Sequence, residues 1–214
     1  MLFCKNKYVL IMCIVLLSGC AMQKTISNSA NTSDIMEAEN EVESKGSILM
    51  VIAPSDFRDE ELFETKKIFE QNGYETEVAS LATGTIKGML GGKVEVKKSI
   101  TEADLGQYVA VVFVGGIGVD KYKLYEDENY INLAKVAHAF NKTIGAICLG
   151  PKILAGADLL TSKRATVYQT GRDYLSSKGA IYVKKDVVVD RNIITGNGPS
   201  AIEEFAAAVL TNIQ

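Results

Sequence analysis

The sequence is poor in the residues that build metal sites and disulfide frameworks. Its 214 residues include no tryptophan, a single histidine (His138) and four cysteines, of which three lie within the first 20 residues. One histidine excludes a multi-histidine metal site, and no two cysteines have the spacing of a zinc finger. If Cys20 is modified, Cys148 has no partner for an intrachain disulfide. We therefore expect no metal and no cofactor.

Positive charge is also scarce. The chain has 23 basic and 26 acidic residues, a net charge of −3. Residues 1–19 hold two of the basic residues, Lys5 and Lys7, and no acid, so without them the balance is 21 to 26, a net charge of −5. An acidic domain is poorly suited to bind a phosphate backbone. We therefore expect no nucleic-acid partner.

The N-terminal segment carries an apolar run, residues 8–17, that is too short to span a membrane comfortably. The run follows a basic start and ends in small residues, as in a signal sequence. Residues 17–20 (LSGC) resemble the lipobox of bacterial lipoproteins, in which the cysteine is acylated and becomes the mature N-terminus. An uncleaved anchor and an ordinary signal peptide are the alternatives. All three place the protein outside the cytoplasm.

These features divide the chain into three parts. Residues 1–19 are predicted to be a lipoprotein signal peptide, and residues 20–46 a disordered tether anchored to a membrane by lipid on Cys20. The tether is rich in Ser, Asn, Thr, Glu and Lys and has too little apolar content to bury a core. Residues 47–214 form the predicted folded domain. The expected location is extracytoplasmic and membrane-anchored.

Within this domain, short apolar runs alternate with segments of helical periodicity. Strands are predicted at 48–53, 75–79, 108–114, 145–148 and 165–168, a hairpin-like excursion at 91–100, a tight hairpin at 187–195, and helices at 59–71, 129–140, 151–157 and 201–210. Uninterrupted apolar strands are typical of parallel sheets covered on both faces. The prediction is an α/β fold with a helix-covered, mostly parallel sheet.

Residues 143–151 (TIGAICLGP) place Cys148 between a buried strand and a helix. Gly150 and Pro151 indicate a sharp turn with proline at the first helical position. Free backbone N–H groups and the positive end of the helix dipole would then face the sulfur and favour its thiolate. The alternative is that Cys148 is simply a small buried apolar residue.

Ligands of such sheets bind at the carboxyl ends of the strands. The loops at 54–59, 115–118, 148–151 and 196–199 qualify by their order in the chain. Gly115 and Gly116 leave their N–H groups unobstructed and so suit an oxyanion next to the sulfur. Without Cys148, the same glycines would be interpreted as ordinary turn residues.

Four segments in the right order resemble the DJ-1/PfpI family of the class I glutamine amidotransferase-like superfamily. They are residues 56–62 (DFRDEEL), 111–116 (VVFVGG), 146–151 (AICLGP) and 188–195 (VVDRNIIT), and the resemblance extends over residues 46–213. It implies a flavodoxin-like α/β fold in which Cys148 occupies a nucleophile elbow. Members are often dimers, so a homodimer is a further expectation.

The resemblance also implies roles for individual residues. Cys148 matches the nucleophile and Glu61 the glutamate whose carboxyl group approaches the sulfur. The N–H groups of Gly116 and Leu149 match the oxyanion donors. Tyr168 lines the pocket or, alternatively, packs in the interior. From its position alone, Glu61 would be a solvated acid in the first turn of a helix.

The chain departs from the family at Leu149, where hydrolase and glyoxalase-type members have a histidine that serves as general base. His138, ten residues earlier on the preceding helix, does not obviously replace it. No histidine follows Cys148, which excludes the triad of true glutamine amidotransferases. Three functions stay open: an enzyme for small reactive carbonyls or for amide and glycated adducts, a sensor of oxidative stress or ligand-binding module, and a docking lipoprotein with a vestigial pocket.

Overall fold

The computed structural model describes residues 44–213 of the chain. The predicted signal peptide, the lipidation site Cys20 and most of the tether lie outside the described residues. Near the start of the described residues, the N–H of Lys45 donates to the carbonyl of Gly73 at 2.9 Å. Between residues 44 and 213, no helix is long and apolar enough to cross a membrane.

Strands and helices alternate along most of this region. The strands are β1 (Ser47–Val51), β2 (Glu75–Ser80), β3 (Gly84–Lys87), β4 (Lys93–Val96), β5 (Lys98–Ser99), β6 (Tyr108–Phe113), β7 (Thr143–Ile147), β8 (Arg164–Ala165), β9 (Ile181–Tyr182), β10 (Val187–Asp190) and β11 (Ile193–Gly196). The helices are α1 (Asp59–Gln71), α2 (Gly118–Lys121), α3 (Glu128–Ala139), α4 (Pro151–Gly156), α5 (Arg172–Ser177) and α6 (Ile202–Asn212).

Seven strands form the central sheet in the order β10-β11-β7-β6-β1-β2-β5. All neighbours pair in parallel except β10 and β11, which form the antiparallel hairpin at one edge. All five residues of β7 are buried although successive side chains point to opposite faces, so helices cover both faces of the sheet. The predicted helix-covered, mostly parallel α/β fold is confirmed.

The bounds of α1 match the predicted helix, because three acids in its first turn suit the helix dipole and Gly73, with a φ of +87°, ends it. Two other predictions were wrong in detail. The excursion at 91–100 begins earlier, with β3 pairing with β4 around the loop that holds Gly91 and Gly92. The strand at 165–168 shrinks to β8, which pairs with β9 outside the central sheet.

Gly145 of β7 allows α6 to pack closely on the sheet. A Cβ atom on Gly145 would lie 2.9 Å from the ring tip of Phe205 and 3.1 Å from a methyl group of Val209, both on α6. Carbon atoms in contact normally lie about 3.5–4.0 Å apart. The glycine that interrupts this apolar strand is therefore a packing requirement between the central strand and the last helix.

The variant Gly145→Ala should lower the free energy of unfolding by about 1–3 kcal/mol, because the added methyl group overpacks this contact. Urea denaturation of the wild type, Gly145→Ala, Phe205→Leu and the double variant measures the effect. Because Phe205→Leu removes the ring tip, Gly145→Ala should cost less in that background. An equal cost in both backgrounds would show that the ring of Phe205 does not impose the glycine.

Candidate functional site around Cys148

Cys148 occupies the turn between β7 and α4 in a left-handed backbone conformation, with a φ of +59°. Its N–H donates to the carbonyl of Gly196 at 2.9 Å, and its carbonyl accepts the N–H of Tyr168 at 2.9 Å. A positive φ at a residue other than glycine costs about 1–3 kcal/mol and persists only where the surroundings impose it. These two hydrogen bonds tie the strained residue to β11 and to the segment before α5.

The sharpness of this turn depends on Gly150 and Pro151. A Cβ atom on Gly150 would lie 2.4 Å from the carbonyl oxygen of Phe113, so only glycine allows the turn to pack on the end of β6. Pro151 then begins α4 at the position where a helix needs no N–H partner. The sequence Gly-Pro therefore starts the helix immediately beyond Cys148.

Glu61 reaches the same point from the first turn of α1 and is completely buried. The N–H of Gly115 donates to its Oε2 atom at 3.1 Å. Its Oε1 atom is buried and has no hydrogen-bond partner of ordinary geometry among the described residues. A Cβ atom on Gly115 would lie 2.5 Å from the Cβ atom of Cys148 and 2.7 Å from Oε2 of Glu61. Gly115 thus lets the carboxyl group and the cysteine approach each other.

Burial raises the pKa of Glu61 to about 7, and the hydrogen bonds with the Cys148 side chain and the Gly115 N–H oppose that rise only in part. Burial also raises the pKa of the Cys148 thiol, and the charge of Glu61 raises it further. The N–H groups of Gly116 and Leu149 donate towards the sulfur and act in the opposite direction.

Two acids in contact titrate as a pair, so the loss of the first proton belongs to the pair and not to either residue alone. The turn by itself was expected to favour a thiolate. Desolvation and the neighbouring carboxylate instead favour the neutral thiol, so that a thiolate forms only when Glu61 holds the proton.

Gly116 joins this site to the loop after β1. It has a φ of +109°, and a Cβ atom there would lie 2.4 Å from the backbone nitrogen of Arg58. The N–H of Arg58 in turn donates to the carbonyl of Gly115 at 3.1 Å. The two strand-end loops, selected from the sequence by their order, are therefore in direct contact.

A cavity of about 580 Å³ opens above the sulfur. Of the predicted site residues, Gly116, Cys148, Leu149 and Tyr168 line the cavity, while Glu61 and Gly115 do not. The remaining lining residues, which were not assigned from the sequence, are Arg58, Met89, Ile117, Asp120, Thr170, Pro199 and Ser200. Ile117 and Pro199 lie in two of the loops predicted at strand ends, 115–118 and 196–199. No feature of the sequence pointed to Met89 or Asp120 as site residues.

Three further features of the described residues concern the chemistry of the site. His138 lies in the last turn of α3 and is not part of the cavity wall. No group of three or more His, Cys, Asp or Glu residues in the described part of the chain is placed to hold a metal ion. The position after Cys148, where a histidine was absent from the sequence, holds the apolar side chain of Leu149, which is 5% exposed.

Several known proteins are similar to this chain in sequence. An uncharacterized protein of Methanocaldococcus jannaschii is 43% identical over 191 residues, covering 88% of this chain and 92% of that protein. A protein of Pyrococcus abyssi named as a deglycase is 30% identical over 151 residues, covering 71% of this chain and 90% of its own length.

A solved structure has a similar fold. The crystal structure of a ThiJ/PfpI domain protein from Brachyspira murdochii superposes with a TM-score of 0.75 at 38% identity, covering 78% of this chain and 96% of that one. Residues 46–212 match the sequence model of the DJ-1/PfpI family. The chain therefore belongs to the DJ-1/PfpI family.

Proposed function

We propose that the protein uses Cys148 as a nucleophile towards small reactive carbonyl compounds, or towards the amide or glycated adducts that such compounds form. The observation that carries this proposal is the buried Glu61 carboxyl group beside the sulfur, below a cavity into which Cys148 opens. The deglycase name of the Pyrococcus abyssi relative supports the same substrate class.

In the proposed step, the pair holds one proton, which Glu61 carries when the sulfur is ionised. The sulfur forms a bond to the carbonyl carbon, and the π electron pair of the C=O bond moves to the oxygen. The N–H groups of Gly116 and Leu149 stabilise the developing oxyanion. The oxygen then takes the proton from Glu61, which leaves a neutral hemithioacetal on Cys148 and an ionised carboxylate.

Leu149 limits the steps after this addition. Its side chain cannot accept a proton, and a general base contributes typically about 10²–10⁴-fold to the rate of a proton-transfer step. Addition to Cys148 is therefore supported by the site, whereas rapid hydrolysis of the adduct is not. This favours slow turnover compared with relatives that carry a histidine at this position.

The same feature supports a second candidate, a redox-responsive or ligand-binding module. An oxidised sulfur gains oxygen atoms, which the N–H groups of Gly116 and Leu149 and a protonated Glu61 would bind. A site without a base for hydrolysis suits this role. It predicts that hydrogen peroxide converts Cys148 to a stable sulfinic acid while carbonyl consumption is independent of Cys148.

The pH dependence of alkylation tests the coupling of Glu61 and Cys148. The rate at which iodoacetamide modifies Cys148 should rise through an apparent pKa of about 7, because the pair loses its first proton there. Glu61→Gln should lack this step, so that its rate rises only with the raised pKa of the thiol. Peptide mass spectrometry separates Cys148 from the other cysteines.

Glu60→Gln is the matched control, because Glu60 neighbours Glu61 in the chain but its carboxylate pairs with Arg58 at 2.8 Å. This variant should keep the step near pH 7. A wild-type profile with one inflection at the pKa of an ordinary thiol would contradict the proposed pairing. A pH profile of Glu61→Gln that is the same as the wild-type profile would also contradict the proposed pairing.

Consumption of methylglyoxal tests the carbonyl chemistry. We expect wild-type protein to consume methylglyoxal slowly and Cys148→Ser to lose at least about 90% of that rate, because a hydroxyl group is a far weaker nucleophile than a thiolate. Circular dichroism confirms that the variant is folded. Equal rates for the two proteins would reject this activity and leave the redox or binding candidate.

We also propose that the domain is tethered outside the cytoplasm by lipid on Cys20, on the support of residues 8–20 of the sequence. Expression in a bacterium that processes lipoproteins should yield a mature N-terminus at Cys20 carrying diacylglycerol, as measured by mass spectrometry. Cys20→Ala should lose this modification, and Cys13→Ala should keep it. A mature N-terminus elsewhere, without lipid, would overturn the proposal.

A further inference from the structure

The cavity above Cys148 is large for the smallest reactive carbonyls. Its volume of about 580 Å³ lies in the range of about 300–1,000 Å³ that accommodates much larger organic ligands. A three-carbon aldehyde bound at the sulfur would contact only the N–H groups of Gly116 and Leu149 and the wall next to them. Most of the cavity would then be left to water.

The wall beyond the sulfur is mostly apolar, although Arg58, Asp120, Thr170 and Ser200 also belong to it. Four aliphatic or thioether side chains and one aromatic ring line it: Met89, Ile117, Leu149, Pro199 and Tyr168. Ile117 is 53% exposed and Tyr168 39% exposed, and both line the cavity. Exposed apolar side chains gathered around a cavity are typical of a ligand site.

The charged groups of the wall are already paired within the chain. Arg58 donates to both carboxylate oxygens of Glu60, at 2.8 and 3.2 Å. Asp120 pairs with Lys152, whose side chain is 9% exposed and whose ammonium group lies 3.9 Å from the ring centre of Tyr125. A charged ligand would have to compete with these partners, whereas an uncharged ligand would not.

The apolar wall is held in place by the fold. Met89 lies in the loop between β3 and β4, and its N–H donates to the carbonyl of Phe57 at 2.9 Å. Asp59, a buried residue of α1, accepts the N–H groups of Leu90 at 2.7 Å and Gly92 at 2.6 Å. The loop that carries Met89 is thereby fixed to the helix that carries Glu61, so the wall and the reactive pair keep one geometry.

We propose that this pocket selects carbonyl compounds that carry an uncharged, apolar substituent larger than a methyl group. The substituent packs against Met89, Ile117 and Leu149, and the carbonyl carbon meets the sulfur of Cys148. Because Leu149 stands where the family has a histidine, the apolar wall extends up to the sulfur. The proposal rests on the reactivity proposed for Cys148 and specifies the substrates that it would use.

Alkylating reagents of graded size test this selectivity without requiring turnover. The second-order rates of Cys148 with iodoacetamide, N-hexyl iodoacetamide and N-phenyl iodoacetamide are each divided by the rate with glutathione. The full-length wild-type protein should favour the two substituted reagents by about tenfold or more, since burying two CH₂ groups contributes about 1.6 kcal/mol. The hexyl and phenyl arms distinguish a linear from a ring-shaped substituent.

Ile117→Ser should reduce this preference at least threefold, because it removes an apolar part of the wall. Ile181→Ser is its matched control, since Ile181 is 54% exposed and lies outside the wall, and it should keep the wild-type preference. Normalised rates that are equal for all three reagents would overturn the proposal. Equal losses in the two variants would overturn it as well.

A binding measurement separates the failure of this inference from the failure of the reactive cysteine. Cys148→Ala should bind N-hexylacetamide or N-phenylacetamide at least tenfold more tightly than acetamide in NMR titrations. If Cys148 is inert but this preference holds, the proposed reactivity fails and the selectivity stands. If Cys148 reacts but neither rates nor affinities depend on the substituent, the selectivity fails and the reactivity stands.

Discussion

The close approach of a carboxyl group to a cysteine sulfur is the contact on which this site depends. It requires a residue without a side chain at Gly115, because a methyl group there would overlap both Cys148 and Glu61. It also requires the strained φ of +59° at Cys148, which costs about 1–3 kcal/mol. The surrounding fold holds both features in place.

The parallel sheet supplies the rigidity that this arrangement needs. The carboxyl ends of β1, β6, β7 and β11 meet at one edge, where hydrogen bonds between loops connect them. Strands that are buried on both faces have little freedom to shift, so the distances between their ends vary little. A carboxyl group from α1 can therefore be desolvated against the sulfur without being expelled into water.

The side chain of Leu149 differs in chemistry from the histidine that other members of the family resembled by this chain have at that position. An imidazole at this position would serve as a base next to the sulfur, whereas the isobutyl group offers only an apolar surface. In the proposed function, the residue that removes a proton acceptor also adds apolar surface for uncharged ligands. Paired charges at Arg58 and Asp120 act in the same sense, since they leave the wall without a free charge to attract an ionic substrate.

The sequence by itself determined the fold class, the bounds of α1 and the place of Cys148, because apolar runs, acidic first turns and the Gly-Pro pair are local signals. Its resemblance to a family also assigned Glu61, which position alone would have left as a solvated acid. Only the tertiary structure decided that desolvation raises the pKa of both members of the pair, and that Met89 completes the wall. These depend on side chains that are far apart in sequence and meet at the end of the sheet, so no local pattern encodes them.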